Sequence, residues 1–201
     1  MSRKFPLWKQ NTHETCGPAC ILTLCEYFGI IRHPSVELEK SIYRDYRSTA
    51  FKGTPGISVA KALAVRGLRV QLLHSSPEMM ENRELYFDEE TFEKLFREYH
   101  QRVDFCRNLV ELQCDVDIQC DLLKRLLAEG KKLVLQTIVP GDADGVHTHV
   151  LHWVVVYGYE NGEFLVGNPA LDGGRLRLSE TELMHYMDTP IGKICIAADR
   201  P

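Results

Sequence analysis

The apolar residues of this chain change period near its middle. Ala19, Ile21, Leu22, Leu24, Cys25 and Phe28 recur at helical spacing and predict a helix with one buried stripe. Thr15 and Cys16 stand at its start, and Pro18 suits the first turn, where its missing N–H costs nothing. Residues 34–47 predict a second helix, opened by Pro34-Ser35, with Val36, Ile42 and Tyr43 facing inward. Gly53, Pro55 and Gly56 mark a loop, and residues 57–66 predict a third helix closed by Gly67. Residues 68–73 alternate as a strand does. After the break at Ser75-Ser76-Pro77, residues 89–112 read as one charged amphipathic helix, with Met79-Met80 before it as soft core filler. A further helix over 118–129 turns Leu122, Leu123, Leu126 and Leu127 inward and ends at Gly130.

Beyond that point the pattern becomes that of a sheet. Residues 132–139 predict a buried strand, and residues 140–145 an acidic loop. Trp153-Val154-Val155-Val156-Tyr157 is dense in β-branched and aromatic residues, as a central strand is. Asn161-Gly162 signals a tight hairpin into a short strand at Phe164-Leu165-Val166, which Asn168-Pro169 stops. Gly173-Gly174 turns the chain into an edge strand over 175–178. Ser179 and Glu182 form a capping-box signature for a short helix through Met187, and residues 192–197 close the sheet. The expected fold class is α+β: a single domain over residues 1–201, with a helical lobe at about 10–130 and a mostly antiparallel sheet lobe at about 131–198.

Composition narrows the class. The chain has 201 residues, and 44% of them are hydrophobic, which argues for a packed globule rather than a disordered chain. A net charge of −4 lacks the electrostatic footprint of a nucleic-acid binder. No apolar run has the length of a membrane span, and the first residues lack the apolar core of a signal peptide. The expected location is therefore cytoplasmic. Seven cysteines, an odd number, read as thiols rather than a disulfide framework.

Candidate chemistry gathers at two separated stretches. A helix N-terminus stabilises a thiolate, so Cys16 is a candidate nucleophile, with a structural buried cysteine as the competing explanation. Gly17 leaves room for a substrate carbonyl, and Gln10 can donate a side-chain N–H beside the Cys16 backbone N–H. The hairpin brings His152, at the start of one strand, near Asn168, at the end of the next. Asn168 could then bond one ring nitrogen and leave the other to face Cys16. His13, three residues before Cys16, reads as a loop residue rather than the base. No metal is expected. Cys106, Cys114 and Cys120 lack ligand spacing, and His147, His149 and His152 on one strand do not share a face. The 140–145 loop also lacks the carboxylates of a calcium loop.

These residues resemble a known family. Gln10, Cys16-Gly17-Pro18-Ala19-Cys20, His152-Trp153-Val154-Val155-Val156 and Asn168-Pro169 are similar to the papain-like cysteine peptidases of the bacteriocin-processing, double-glycine leader type. The likeness runs from about Gln10 to Ile196. It implies a papain-like fold, Cys16 as nucleophile, His152 as general base, Asn168 as the orienting residue and Gln10 as oxyanion donor. It also implies substrate contacts at Gly17, Thr54, Gly56 and Trp153, a peptide or protein substrate, and no cofactor. The family usually carries Asp-Pro where this chain has Asn168-Pro169. Its members are often fused to an exporter, and no such segment follows in this sequence, so a free-standing enzyme is expected. Two other functions use the same residues: a papain-like acyltransferase or amidase, and a peptide-binding module that does not cut.

Overall fold

One seven-stranded sheet runs through the middle of the molecule, in the order β2-β1-β7-β3-β4-β5-β6. The computed structural model describes residues 4–76, 88–143, 146–189 and 191–201. The strands are β1 (Arg69–His74), β2 (Glu111–Gln113), β3 (Lys132–Ala143), β4 (Val146–Glu160), β5 (Glu163–Gly167), β6 (Arg175–Ser179) and β7 (Ile194–Asp199). Every neighbouring pair is antiparallel except β1 with β2.

The period-two alternation of these strands divides the interior. Val70, Leu72, Val134, Trp153, Val155, Ile194 and Ile196 face a core shared with α1 (Cys16–Tyr27), α2 (Val36–Tyr46), α3 (Gly56–Ala64) and the end of α4 (Glu89–Cys106). Leu133, Leu135, Val154, Val156, Phe164 and Val166 face a second core built with α5 (Cys120–Ala128) and α6 (Glu180–Met187). Both faces are therefore covered, which is why the central strands read as continuous apolar runs.

Local chemistry sets the boundaries. Ser35 caps α2 by accepting the Leu38 N–H at 3.2 Å. Ser179 and Glu182 complete the capping box of α6. The β4–β5 turn takes positive φ at Asn161 (55°) and Gly162 (83°), as a two-residue type I′ hairpin requires.

Several expectations are corrected. The helix expected over 89–112 ends at Cys106, and Glu111–Gln113 forms β2, parallel to β1. The acidic loop expected from 140 is strand as far as Ala143, with Pro140 opposite His149 and Ala143 opposite Val146. Met79 and Met80 lie outside the described residues. Helix α1 is buried on every side from Cys16 to Cys25, rather than along one stripe, because α2 and α3 cover the flank away from the sheet. Strands β1 and β2, from the half read as helical, join the same sheet as β3–β7.

Candidate active site

Helix α1 begins at Cys16, with Thr15 as N-cap residue. Cys16 is only 6% exposed. Burial pushes its thiol pKa up, and this outweighs the backbone N–H groups of Trp153, Gly17 and Cys16 itself, which point at the sulfur and lower it. The Trp153 N–H is free for this because β5 ends at Gly167, opposite Val155, leaving that edge of β4 open beyond. The sulfur therefore lies against β4 at the residue next to His152.

His152 is 5% exposed, and its Nε2 lies 2.9 Å from Asn168 Oδ1. The same oxygen accepts the Ala170 backbone N–H at 2.9 Å. A peptide N–H can only donate, so the oxygen of Asn168 must face it. The histidine Nε2 must then be the protonated nitrogen. Nδ1 is left as an acceptor, which is the nitrogen a general base needs. Burial lowers the His152 pKa, against the hydrogen bond to Asn168, which raises it. With the thiol pushed up and the imidazole pushed down, both shifts disfavour the charged thiolate–imidazolium form. The helix N-terminus alone predicts the opposite for Cys16; desolvation is the larger effect here.

Gln10 reaches the site on an extended segment that crosses both halves of the molecule. Its backbone N–H donates to Pro169 O at 2.9 Å, next to Asn168. Its Nε2 donates to Thr12 O at 2.8 Å, leaving the second amide hydrogen for another acceptor, while Oε1 is buried without a partner. The segment is tied to α1 by Trp8 N–H to Thr23 Oγ1 at 3.0 Å and to β6 by Arg175 to Phe5 O at 2.5 Å. Lys9 pairs with Asp172. Leu7 fits against Gly167, where a Cβ would lie 2.2 Å from it. Trp8 thus packs where the two halves meet, and His13 is exposed.

The four residues expected to touch substrate are all buried. A Cβ on Gly17 would lie 3.0 Å from Thr54 Cβ, so its small size serves the packing of α1 against the loop before α3. A Cβ on Gly56 would meet the Trp153 ring at 3.3 Å. Trp153 Nε1 donates to Thr54 O at 2.9 Å and ties that loop to β4. These contacts shape the walls of the site from behind. On the α6 side, Thr137, Val154, Val166, Asn168, Leu176 and Tyr186 line a largely apolar cavity of about 260 Å³. Thr137 is the register partner of His152 and Asn168 its hydrogen-bond partner, so the cavity is lined by two neighbours of the histidine.

Two features escaped the sequence reading. The tether to Thr23 has no sequence signal. The second, Glu39, had one: it lies between Val36 and Ile42 on the inward face of α2, where a carboxylate is out of place. Among the described residues no group of three or more histidine, cysteine or acidic side chains could hold a metal ion. The side chains of His147 and His149 fall outside the description. All seven cysteines are unpaired.

A cysteine at a helix start, lying against the strand that carries the histidine, with helices packed on a largely antiparallel sheet, is the architecture of the papain-like cysteine peptidases. Within that class the chain belongs to the Peptidase_C39 like family, whose model matches residues 5–193. No curated protein matches the sequence significantly. Among solved structures, it is similar to a protein from Bacillus anthracis described as a C39-like peptidase, with a TM-score of 0.58 at 9% identity over 98% of this chain and 96% of that one. It is also similar to the peptidase domain of Streptococcus ComA, a bi-functional ABC transporter involved in quorum sensing: TM-score 0.51, 14% identity, 98% of this chain and 100% of that one. A double glycine motif protease from an AMS/PCAT transporter, solved with its leader peptide, gives a TM-score of 0.51 at 14% identity over 97% and 91%. At these identities the likeness to solved structures establishes the fold.

Proposed function

We propose that the chain is a cysteine peptidase that hydrolyses a peptide bond through Cys16, His152 and Asn168. The observation that carries this reading is the 2.9 Å contact between His152 Nε2 and Asn168 Oδ1, beside a cysteine at a helix start. His152 Nδ1 takes the Cys16 proton as the sulfur bonds to the carbonyl carbon. The Cys16 N–H and a Gln10 Nε2 hydrogen hold the oxyanion. Collapse breaks the C–N bond, and the amine leaves with the proton from Nδ1. Water, deprotonated by Nδ1, then attacks the thioester, releasing the acid and restoring the thiol. Asn168 keeps the imidazole in the required tautomer throughout.

The apolar cavity beside His152 fits a peptide with an aliphatic or aromatic side chain near the cut. A double glycine motif protease of similar fold, solved with its leader peptide, makes a double-glycine peptide the substrate class to test. Seven unpaired thiols suit a reducing, cytoplasmic setting.

The test uses synthetic peptides with apolar residues upstream of Gly-Gly, followed by mass spectrometry. Wild type should release a fragment ending in Gly-Gly, Cys16→Ala none, and Asn168→Ala about 10²-fold less per unit time. Cleavage that survives Cys16→Ala would overturn the mechanism. Adding amines to the same reaction reports acyl transfer directly, as an amide product in place of the acid.

A further inference from the structure

Glu39 is a fully buried carboxylate, 0% exposed, and among the described residues no cation pairs with it. Its two oxygens face the N-terminal segment instead. Oε2 accepts Trp8 Nε1–H at 2.6 Å, and Oε1 accepts the Asn11 backbone N–H at 2.8 Å. Burying a carboxylate without a counter-charge is costly, and two N–H donors offset only part of that cost. A hydrophobic residue would serve the α2 core better, but it would take away the acceptor of both N–H groups, that of the half-buried Trp8 ring among them. The two bonds bracket Gln10. On its other side, Gln10 N–H is held by Pro169 O.

We infer that Glu39 is a positioning residue: by gripping Trp8 and Asn11 it fixes Gln10 between them, so that the carboxamide stands where an oxyanion on Cys16 chemistry would form. The inference rests on the reading of Gln10 as oxyanion donor. Nothing in the chain touches a reacting atom through Glu39 itself; it acts through the backbone of the segment. Glu39→Gln isolates this function. A carboxamide keeps the shape and can accept one of the two N–H bonds, but its NH2 opposes the other donor, so one tether is lost with little change in packing.

The experiment is a double-mutant cycle between Gln10→Ala and Glu39→Gln on full-length protein. The probe is the 4-nitrophenyl ester of N-acetylglycine, an activated acyl donor that needs no identified peptide. Gln10→Ala should acylate roughly 10²-fold more slowly, the range for loss of an oxyanion donor. Glu39→Gln should be slowed by about tenfold, and the double variant should be no slower than Gln10→Ala alone. Alkylation of Cys16 by iodoacetamide, which builds no oxyanion, should be unchanged in Glu39→Gln. Trp8→Phe removes the other tether, should slow acylation in the same manner, and serves as the test if Glu39→Gln does not fold. Acylation by Glu39→Gln at the wild-type rate, or slowing that multiplies with Gln10→Ala, would overturn the role of Glu39 alone. Wild-type acylation by Gln10→Ala would remove Gln10 from the oxyanion site and Glu39 with it. Absence of acylation in wild type would remove the peptidase reading itself.

Discussion

Asn168 is a carboxamide at a position where the resembling family usually has a carboxylate, and the consequence is electrostatic. The amide oxygen fixes which nitrogen of His152 carries the proton, through the Ala170 N–H that shares it. It supplies no charge to an imidazolium, so burial holds the His152 pKa down and the Cys16 pKa up. Asn168→Asp should therefore raise the His152 pKa and favour the thiolate–imidazolium pair. Iodoacetamide should label Cys16 about tenfold faster at pH 6.5 in that variant, corresponding to a shift of one pH unit. Mass spectrometry of the Cys16 peptide against pH measures it; an unchanged profile would mean that the carboxylate is not felt by the ring. The placement of Cys16 at a helix start and of Asn168 just past the end of β5 was legible from local signals, whereas His152, expected at the start of its strand, lies inside β4 because pairing with β3 carries that strand back to Val146. The direction in which Cys16 is shifted was not legible. It depends on how deeply the helix start is buried, and no spacing reports that.

At the scale of the element, fit decides more than propensity. Helix α1 has almost no polar face, so its position is set by close approach to the loop before α3. Gly17→Ala places a methyl 3.0 Å from Thr54 Cβ and 3.3 Å from Val59 Cγ2, and should cost about 1–3 kcal/mol by overpacking. Urea unfolding would show this as a lower midpoint at constant m-value. Helix α6 is marked by its ends instead: Ser179→Ala removes the capping box and should cost about 1 kcal/mol, seen in the same measurement. The contrast explains what the pattern could foretell. The capping box and the Asn161-Gly162 turn are local, and both appear where the residues place them. Strand β2 is three residues long, and its pairing to β1 lies some forty positions away, so only tertiary contact defines it. The continuation of β3 through Pro140 likewise rests on its partner, β4, and not on its own composition.

For the whole molecule, acid sensitivity follows from the buried histidine. The folded pKa of His152 lies below its ordinary value of 6.5. Between those two values the unfolded chain binds a proton that the folded chain does not, so stability is lost as pH falls below 6.5 and levels off beneath the folded pKa. His152→Asn cannot bind that proton and should lose less stability than wild type between pH 7.5 and 5.5. Urea unfolding at the two pH values gives the difference directly. Equal losses would mean that His152 titrates alike in both states.

The place of β7 bears on how such a chain comes to be made. It is the last strand along the sequence, yet it lies between β1 and β3. Until Ile194–Asp199 leaves the ribosome, β1 and β3 each present an unpaired edge with Val70, Leu72, Leu133 and Leu135 along it. Such edges invite pairing with other chains. The nascent protein thus carries one aggregation-prone border from the completion of β1 and a second from that of β3, and a single late segment seals both at once.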